Sequence, residues 1–226
     1  MELVRHALES ELLVEQEFVA EARRSEKTPK AWPAALVMYH LSMWRELLRN
    51  ALHDVSEGRA FTPPPPSADD YNDTELANGI GTPLTDAAAR SERLLGEIIR
   101  LYDEVGDREF QWYSSKTTTE AVLRNSYIHP RLHMYEYLKE NGSREAGLKL
   151  LEAEVSEMGE AQAPPIVMGA ALYNLAVVRV AQEKLDEAMP LLEEALGLRP
   201  DLKEPAAEDD DLSPLRDRPD FQKVVS

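Results

Sequence analysis

Apolar residues recur at steps of three and four through most of this chain. Between residues 3 and 24, Val4, Leu8, Leu12, Phe18, Val19 and Ala22 form one stripe among many Glu and Arg. That period predicts a long amphipathic helix. "TPKAWP" (28–33) breaks it, and Pro33 suits the first turn of a second helix. The second stripe is Leu36, Val37, Met43, Trp44, Leu47, Leu48, Ala51 and Val55, with Gly58 as its stop signal. A third helix opens at Pro83 with Thr82 as N-cap. Its face is Leu84, Ala87, Ala88, Leu94, Ile98, Leu101 and Val105, ending at Gly106. The fourth opens on "TTTE", where Thr117 and Glu120 have capping-box spacing, and runs to Gly142. Val122, Ser126, His129, His133 and Tyr137 share one face of it.

Two connections interrupt these helices. Residues 58–81, with four consecutive prolines, read as a long connection rather than an element. A connection this long is often a lid or site wall. "GDREFQWYSSK" (106–116) reads as a polar loop. No strand pattern competes. The expected fold is therefore all-α, with an up-down four-helix bundle over residues 1–141.

Residues 142–226 carry a different spacing. "GAALYNLAVVRVAQEKLDEAMPLLEEALGLRPDL" (169–202) resembles the 34-residue tetratricopeptide repeat (TPR). Leu172, Leu175 and Ala176 sit on its first helix; Ala188, Leu192 and Ala195 sit on its second, which Pro200 ends. Arg179 stands where an aromatic is usual. "REAGLKLLEAEVSEM" (144–158) resembles the second helix of a weaker copy. The segment is expected to form one to two TPR-like hairpins, followed by an acidic stretch (208–211) and a capping helix built on Leu212, Leu215, Phe221, Val224 and Val225.

Charge narrows the function. There are 25 Lys plus Arg against 42 Asp plus Glu, a formal net charge of −17. Nucleic acid and anionic membrane surfaces are poor partners for such a chain. With no cysteine, disulfides, thiolate metal sites and cysteine nucleophiles are excluded. No apolar run approaches the roughly 20 residues of a membrane span, and the N-terminus has no signal core. The expectation is a soluble, cytoplasmic protein.

The chemistry concentrates in three histidines. His129 and His133 are one helical turn apart on a face that should point inward, and His40 falls inside the apolar stripe of the second helix. Three imidazoles from two helices can surround one cation, leaving positions open for water or substrate. Nitrogen ligands suit zinc, nickel, iron or copper. The competing account is three hydrogen-bonded core histidines. His6 and His53 fall off the core faces. Pro130 has no N–H, so the Ser126 carbonyl loses its helical partner; the helix should kink or widen a turn at His129. That either re-aims His129 or merely bends the helix. Trp44, Trp112, Tyr39, Tyr127 and Tyr135 are candidates for a pocket lining or for plain core. "DDYND" (69–73) lacks EF-hand spacing and reads as a solvated loop.

"YHLSMWRELL" (39–48) with "NSYIHPRLH" (125–133) resembles the DinB-like superfamily of four-helix bundles, closest to its ClbS/DfsB branch. The shared marks are a histidine in the second helix with a tryptophan four residues on, and H-x-x-x-H in the fourth. The resemblance implies that His40, His129 and His133 ligate a divalent transition metal such as zinc, nickel or iron. It also implies a metal-dependent hydrolase or thiol transferase acting on a small electrophile, in a fold where homodimers are common. Branch members that work without metal leave a metal-free hydrolase or sequestering protein as the alternative. A non-catalytic scaffold that binds a partner protein through the TPR segment is the third reading. No catalytic residue is assigned. The enzyme reading predicts a cavity reached by all three histidines and closed partly by residues 58–81.

Overall fold

The computed structural model describes residues 1–25 and 32–226. Most of the predicted break at 28–33 lies outside them. The fold is dominated by α-helix, with eleven helices and one small sheet among the described residues. The chain divides into two compact units, Met1–Gly147 and Leu148–Ser226. None of these helices is long and apolar enough to cross a membrane.

In the first unit, α1 (Glu2–Ser25), α2 (Ala34–Ser56) and α4 (Leu84–Val105) are the long elements. α5 (Thr118–Leu123) and α6 (His129–Glu140) are joined by a π-helical segment, Arg124–Ile128. α4 packs on α1, α2 and α5, and α2 also packs on α6. Their apolar stripes meet in one core around Leu8, Phe18, Leu41, Leu48, Leu94, Ile98, Val122 and Tyr127. Most residues of the predicted faces are buried, as the 3.6-residue period requires, while Leu12, Leu36, Leu47, Val55, Leu84 and Ala88 are half-buried. Gly106 and Gly142 end their helices at φ 69° and 90°, a conformation that favours glycine. Thr117 accepts from the Glu120 N–H at 3.3 Å, as the capping spacing requires. Thr82, by contrast, is not the cap of α4. Pro83 occupies that position, and its carbonyl accepts the Asp86 and Ala87 amides.

Two segments read as irregular are ordered elements. Within 58–81, α3 (Ala68–Glu75) is capped by Ser67, whose hydroxyl accepts from the Asp70 N–H at 3.1 Å. A 3₁₀ turn, Leu76–Gly79, follows it. "DDYND" is thus helical. The polar loop contains a hairpin, β1 (Glu109–Trp112) and β2 (Ser115–Thr117), paired antiparallel. Phe110 and Trp112 alternate inward, and they stack with ring centroids 5.7 Å apart.

In the second unit, α8 (Pro165–Ala181) and α9 (Leu185–Leu198) pair as a hairpin, with the C-terminal part of α7 (Arg144–Glu160) before it. Ala176, Ala188 and Leu192 lie in a core closed by Leu212, Leu215 and Phe221. Arg179 pairs with Glu152 at 2.6 Å and Glu187 at 3.3 Å. The acidic stretch is not wholly a solvated charge run. Asp209 accepts from the Tyr173 hydroxyl at 2.6 Å and from the Asp211 N–H at 2.9 Å. Gly169 lies at a close approach of α8 to the end of α9. A Cβ there would lie 2.7 Å from Arg199 Cγ and 3.0 Å from Leu198 Cβ. Gly169→Ala is expected to destabilise this unit by about 1–3 kcal/mol through overpacking. A thermal melt unchanged from wild type would contradict that.

Candidate metal centre

His40 is carried by α2; His129 and His133 are carried by α6. His40 is fully buried and the other two are partly exposed, whereas His6 and His53 are exposed. The Nε2 of His40 stands 3.0 Å from the Nε2 of His129 and 3.1 Å from the Nε2 of His133. The rings meet edge to face, with centroids 4.5–4.9 Å apart. Two nitrogens each about 2.0–2.1 Å from one cation stand roughly 2.9–3.4 Å apart at ordinary coordination angles. Both separations lie in that window, and the three ligand atoms all lie within 4.8 Å of one another, so this group could hold a metal ion.

The outer nitrogens of two rings have partners of their own. His133 Nδ1 lies 3.2 Å from the Glu136 carboxylate. His129 is hydrogen-bonded to the Asn125 backbone carbonyl; with Nε2 turned to His40, Nδ1–H is the donor. Both rings thus turn Nε2 toward His40. Outer bonds of this kind fix the orientation of ligand histidines. Without a cation, the single Nε2–H of His40 can fully serve one of these nitrogens at a time. Nδ1 of His40 is buried with no partner among the described residues. Burial first, and then the neighbouring His133, lower the His40 pKa to about 3. Burial, then His133, His40 and Arg45, hold His129 well below the ordinary range. Both rings are thus neutral at physiological pH, the form that ligates metals.

Pro130 explains the aim of His129. The missing N–H leaves the Ser126 carbonyl without its helical donor. The backbone widens into the π segment, and the His129 N–H reaches back to the Arg124 carbonyl. The Ser126 carbonyl instead accepts from Arg45 Nη2 at 3.2 Å. Arg45 is fully buried. It also binds the Glu15 carboxylate, at 2.9 Å from Nη1, and the Ser91 hydroxyl at 2.7 Å. A second buried pair lies beside it: Arg131 Nε donates to Glu11 at 2.7 Å, with the guanidinium 4.1 Å from the Tyr127 ring centroid. Sequence reading missed all four charged residues. Glu11 and Glu15, one turn apart on the inward stripe of α1, were the available signal.

Aromatic residues wall the histidines. Trp32 stacks on His133 at 5.8 Å, and Trp44 stands edge-on to His129 at 6.4 Å. Tyr127 and Tyr135 are core. The 58–81 connection forms part of the wall, because Trp44 Nε1 donates to Asn72 of α3 at 3.0 Å. The Tyr113 hydroxyl at the hairpin tip donates to the Pro65 carbonyl at 2.7 Å. The expected cavity reached by all three histidines takes another form. His129 lines a cleft of ≈ 270 Å³ with Trp44, Trp112, Tyr113, Arg124 and Asn125. His133 lines a cleft of ≈ 360 Å³ with Trp32, Glu136, Lys139 and Glu140. His40 bridges the two imidazoles from within the core. No protein-family model, curated protein or solved structure matches this chain.

Proposed function

We propose that the first unit is a DinB-like bundle that holds a divalent transition metal on His40, His129 and His133. We further propose that it acts on a small electrophile as a hydrolase or thiol transferase, with the TPR-like unit as an appendage. The supporting observation is the pair of Nε2 atoms, on rings tied by the Asn125 carbonyl and Glu136, that converge on His40. When bound, such a cation supplies Lewis acidity that lowers the pKa of a water or an external thiol. The chain has no cysteine, so a thiol must arrive with a cosubstrate. The protein's own groups position and shield. Trp44 stands edge-on to His129, and Asn125 ties the π segment to α2 by donating to the Trp44 carbonyl at 3.3 Å.

The test is metal content of tag-free protein by mass spectrometry. Near one equivalent of zinc, nickel or iron is expected, and the His129→Ala/His133→Ala variant should lose it. A metal-free protein that takes up neither zinc nor nickel would remove this mechanism and favour a metal-free pocket.

A further inference from the structure

The proline run of the 58–81 connection is held in place by side chains rather than by backbone. Residues 61–65 lie outside helix and strand, and a proline segment of this kind is stiff and extended. Among the described residues, no backbone-to-backbone hydrogen bond involves residues 60–66. Prolines 63–66 have no N–H to offer. Phe61, Pro64 and Pro65 are half-buried, while Thr62, Pro63 and Pro66 are exposed. A turn of three residues presents one edge in this way. That edge meets the β1–β2 hairpin. The Phe61 ring lies 4.5 Å from that of Phe110, and the Tyr113 hydroxyl donates to the Pro65 carbonyl at 2.7 Å. Aromatic grooves hold proline-rich peptides by the same means.

The holders of this segment are also walls of the His129 cleft. Tyr113, Trp44 and Ala68 line it together with His129. Trp44 grips the far end of the connection, through Asn72 at 3.0 Å and the Tyr71 ring at 5.1 Å. That grip is shallow, because α3 buries no residue of its own, and such elements open locally at low cost. Tyr113 sits at φ 52°, a conformation a bulky residue rarely adopts. Strain of this kind clusters at clamps and switches. The Gln111 side-chain amide donates to the Tyr113 carbonyl and steadies the turn. At the near end, Gly58 follows α2 with open space around it. Among the described residues, neither the proline run nor its holders line the cleft beside His133.

From these features we infer that residues 58–67 are a strap hinged at Gly58 and latched by Tyr113, whose release opens the route to His129 and leaves the route to His133 unchanged. Lifting the stiff run breaks the Tyr113–Pro65 hydrogen bond and draws Ala68 out of the cleft wall. Tyr113 is then free to swing from its place beside Trp44. The inference rests on the proposed function for what passes through this gate, while the gate itself needs only the geometry.

The experiment uses the full chain, depleted of metal by chelator dialysis. Diethyl pyrocarbonate, which acylates neutral imidazole, is the probe, and peptide mass spectrometry gives the initial rate at each histidine. Tyr113→Phe removes one surface hydroxyl and keeps the ring. It should speed modification of His129 by about threefold to tenfold, the range set by one neutral hydrogen bond. Phe61→Ala, which removes the other contact with the hairpin, should act in the same direction. His133, in the other cleft, and exposed His53 should keep their wild-type rates. Equal His129 rates in the wild type and both variants would overturn the proposal. So would His129 and His133 rising together, the mark of general loosening. The two readings fail separately. A chain that binds no metal but shows the Tyr113-dependent rate loses only the metal function. A chain that loads metal while its His129 rate ignores Tyr113 and Phe61 loses only this inference.

Discussion

Arg45→Met is expected to lower the folding free energy of the first unit by about 3–5 kcal/mol. Arg45 lies in the core with its guanidinium shared among Glu15, Ser91 and the Ser126 carbonyl. Methionine fills much of the volume but leaves the Glu15 carboxylate buried without its partner. It also removes the donor that replaces the proline-deleted N–H. The loss therefore has two parts, an orphaned charge and an orphaned carbonyl. Urea unfolding followed by tryptophan fluorescence measures the sum. The variant Glu15→Met/Arg45→Met separates the parts: removing both charges should recover the first and not the second. A second readout reports position rather than stability. The π segment that Arg45 braces carries the Asn125 carbonyl that orients His129, so zinc affinity should fall about 10–100-fold in Arg45→Met. A stability loss below about 1 kcal/mol would show that this network is not a strut.

The parts of the fold legible from sequence are those governed by short-range rules. The helix period marked the core faces of α1, α2, α4 and α6, because packing depends on which side of a turn a residue occupies. Pro130 announced its own consequence: one missing N–H, one displaced carbonyl and a widened turn. His40, His129 and His133 could be chosen because all three fell on apolar stripes. What stayed hidden depends on partners far along the chain. Glu11 and Glu15 look like solvated charges until Arg131 and Arg45, 120 and 30 residues away, are brought against them. The β1–β2 hairpin was missed because its strands are short and its turn lacks the usual glycine; Tyr113 takes the positive φ instead. For α3, the Ser67 cap three residues before Asp70 was a readable signal, masked by the proline run beside it.

Glu11→Gln is expected to change how stability depends on pH. Glu11 is fully buried, and burial pushes its carboxyl up to about 8. Glu15 pushes the same way, while Arg131 and, more weakly, Arg45 pull it down. One carboxylate oxygen has no hydrogen-bond partner, which adds to the cost of its charge. The folded pKa therefore lies above the unfolded value of 4.5. Below 4.5 both states hold the proton, and its contribution to stability is complete. Between 4.5 and about 8 the folded state alone holds it, so rising pH favours unfolding. Above that window the contribution is lost, by an amount on the order of 3–5 kcal/mol. Glutamine cannot ionise, and its amide oxygen still accepts from Arg131. The free-energy difference between Glu11→Gln and wild type should thus shift in favour of the variant from pH 4.5 to 8, and level off at both ends. Carboxylates that are not coupled to Glu11 bend both absolute curves alike and cancel in the difference. Parallel curves across that range would mean that Glu11 stays ionised beside Arg131, and that the pair persists in the core as an ion pair.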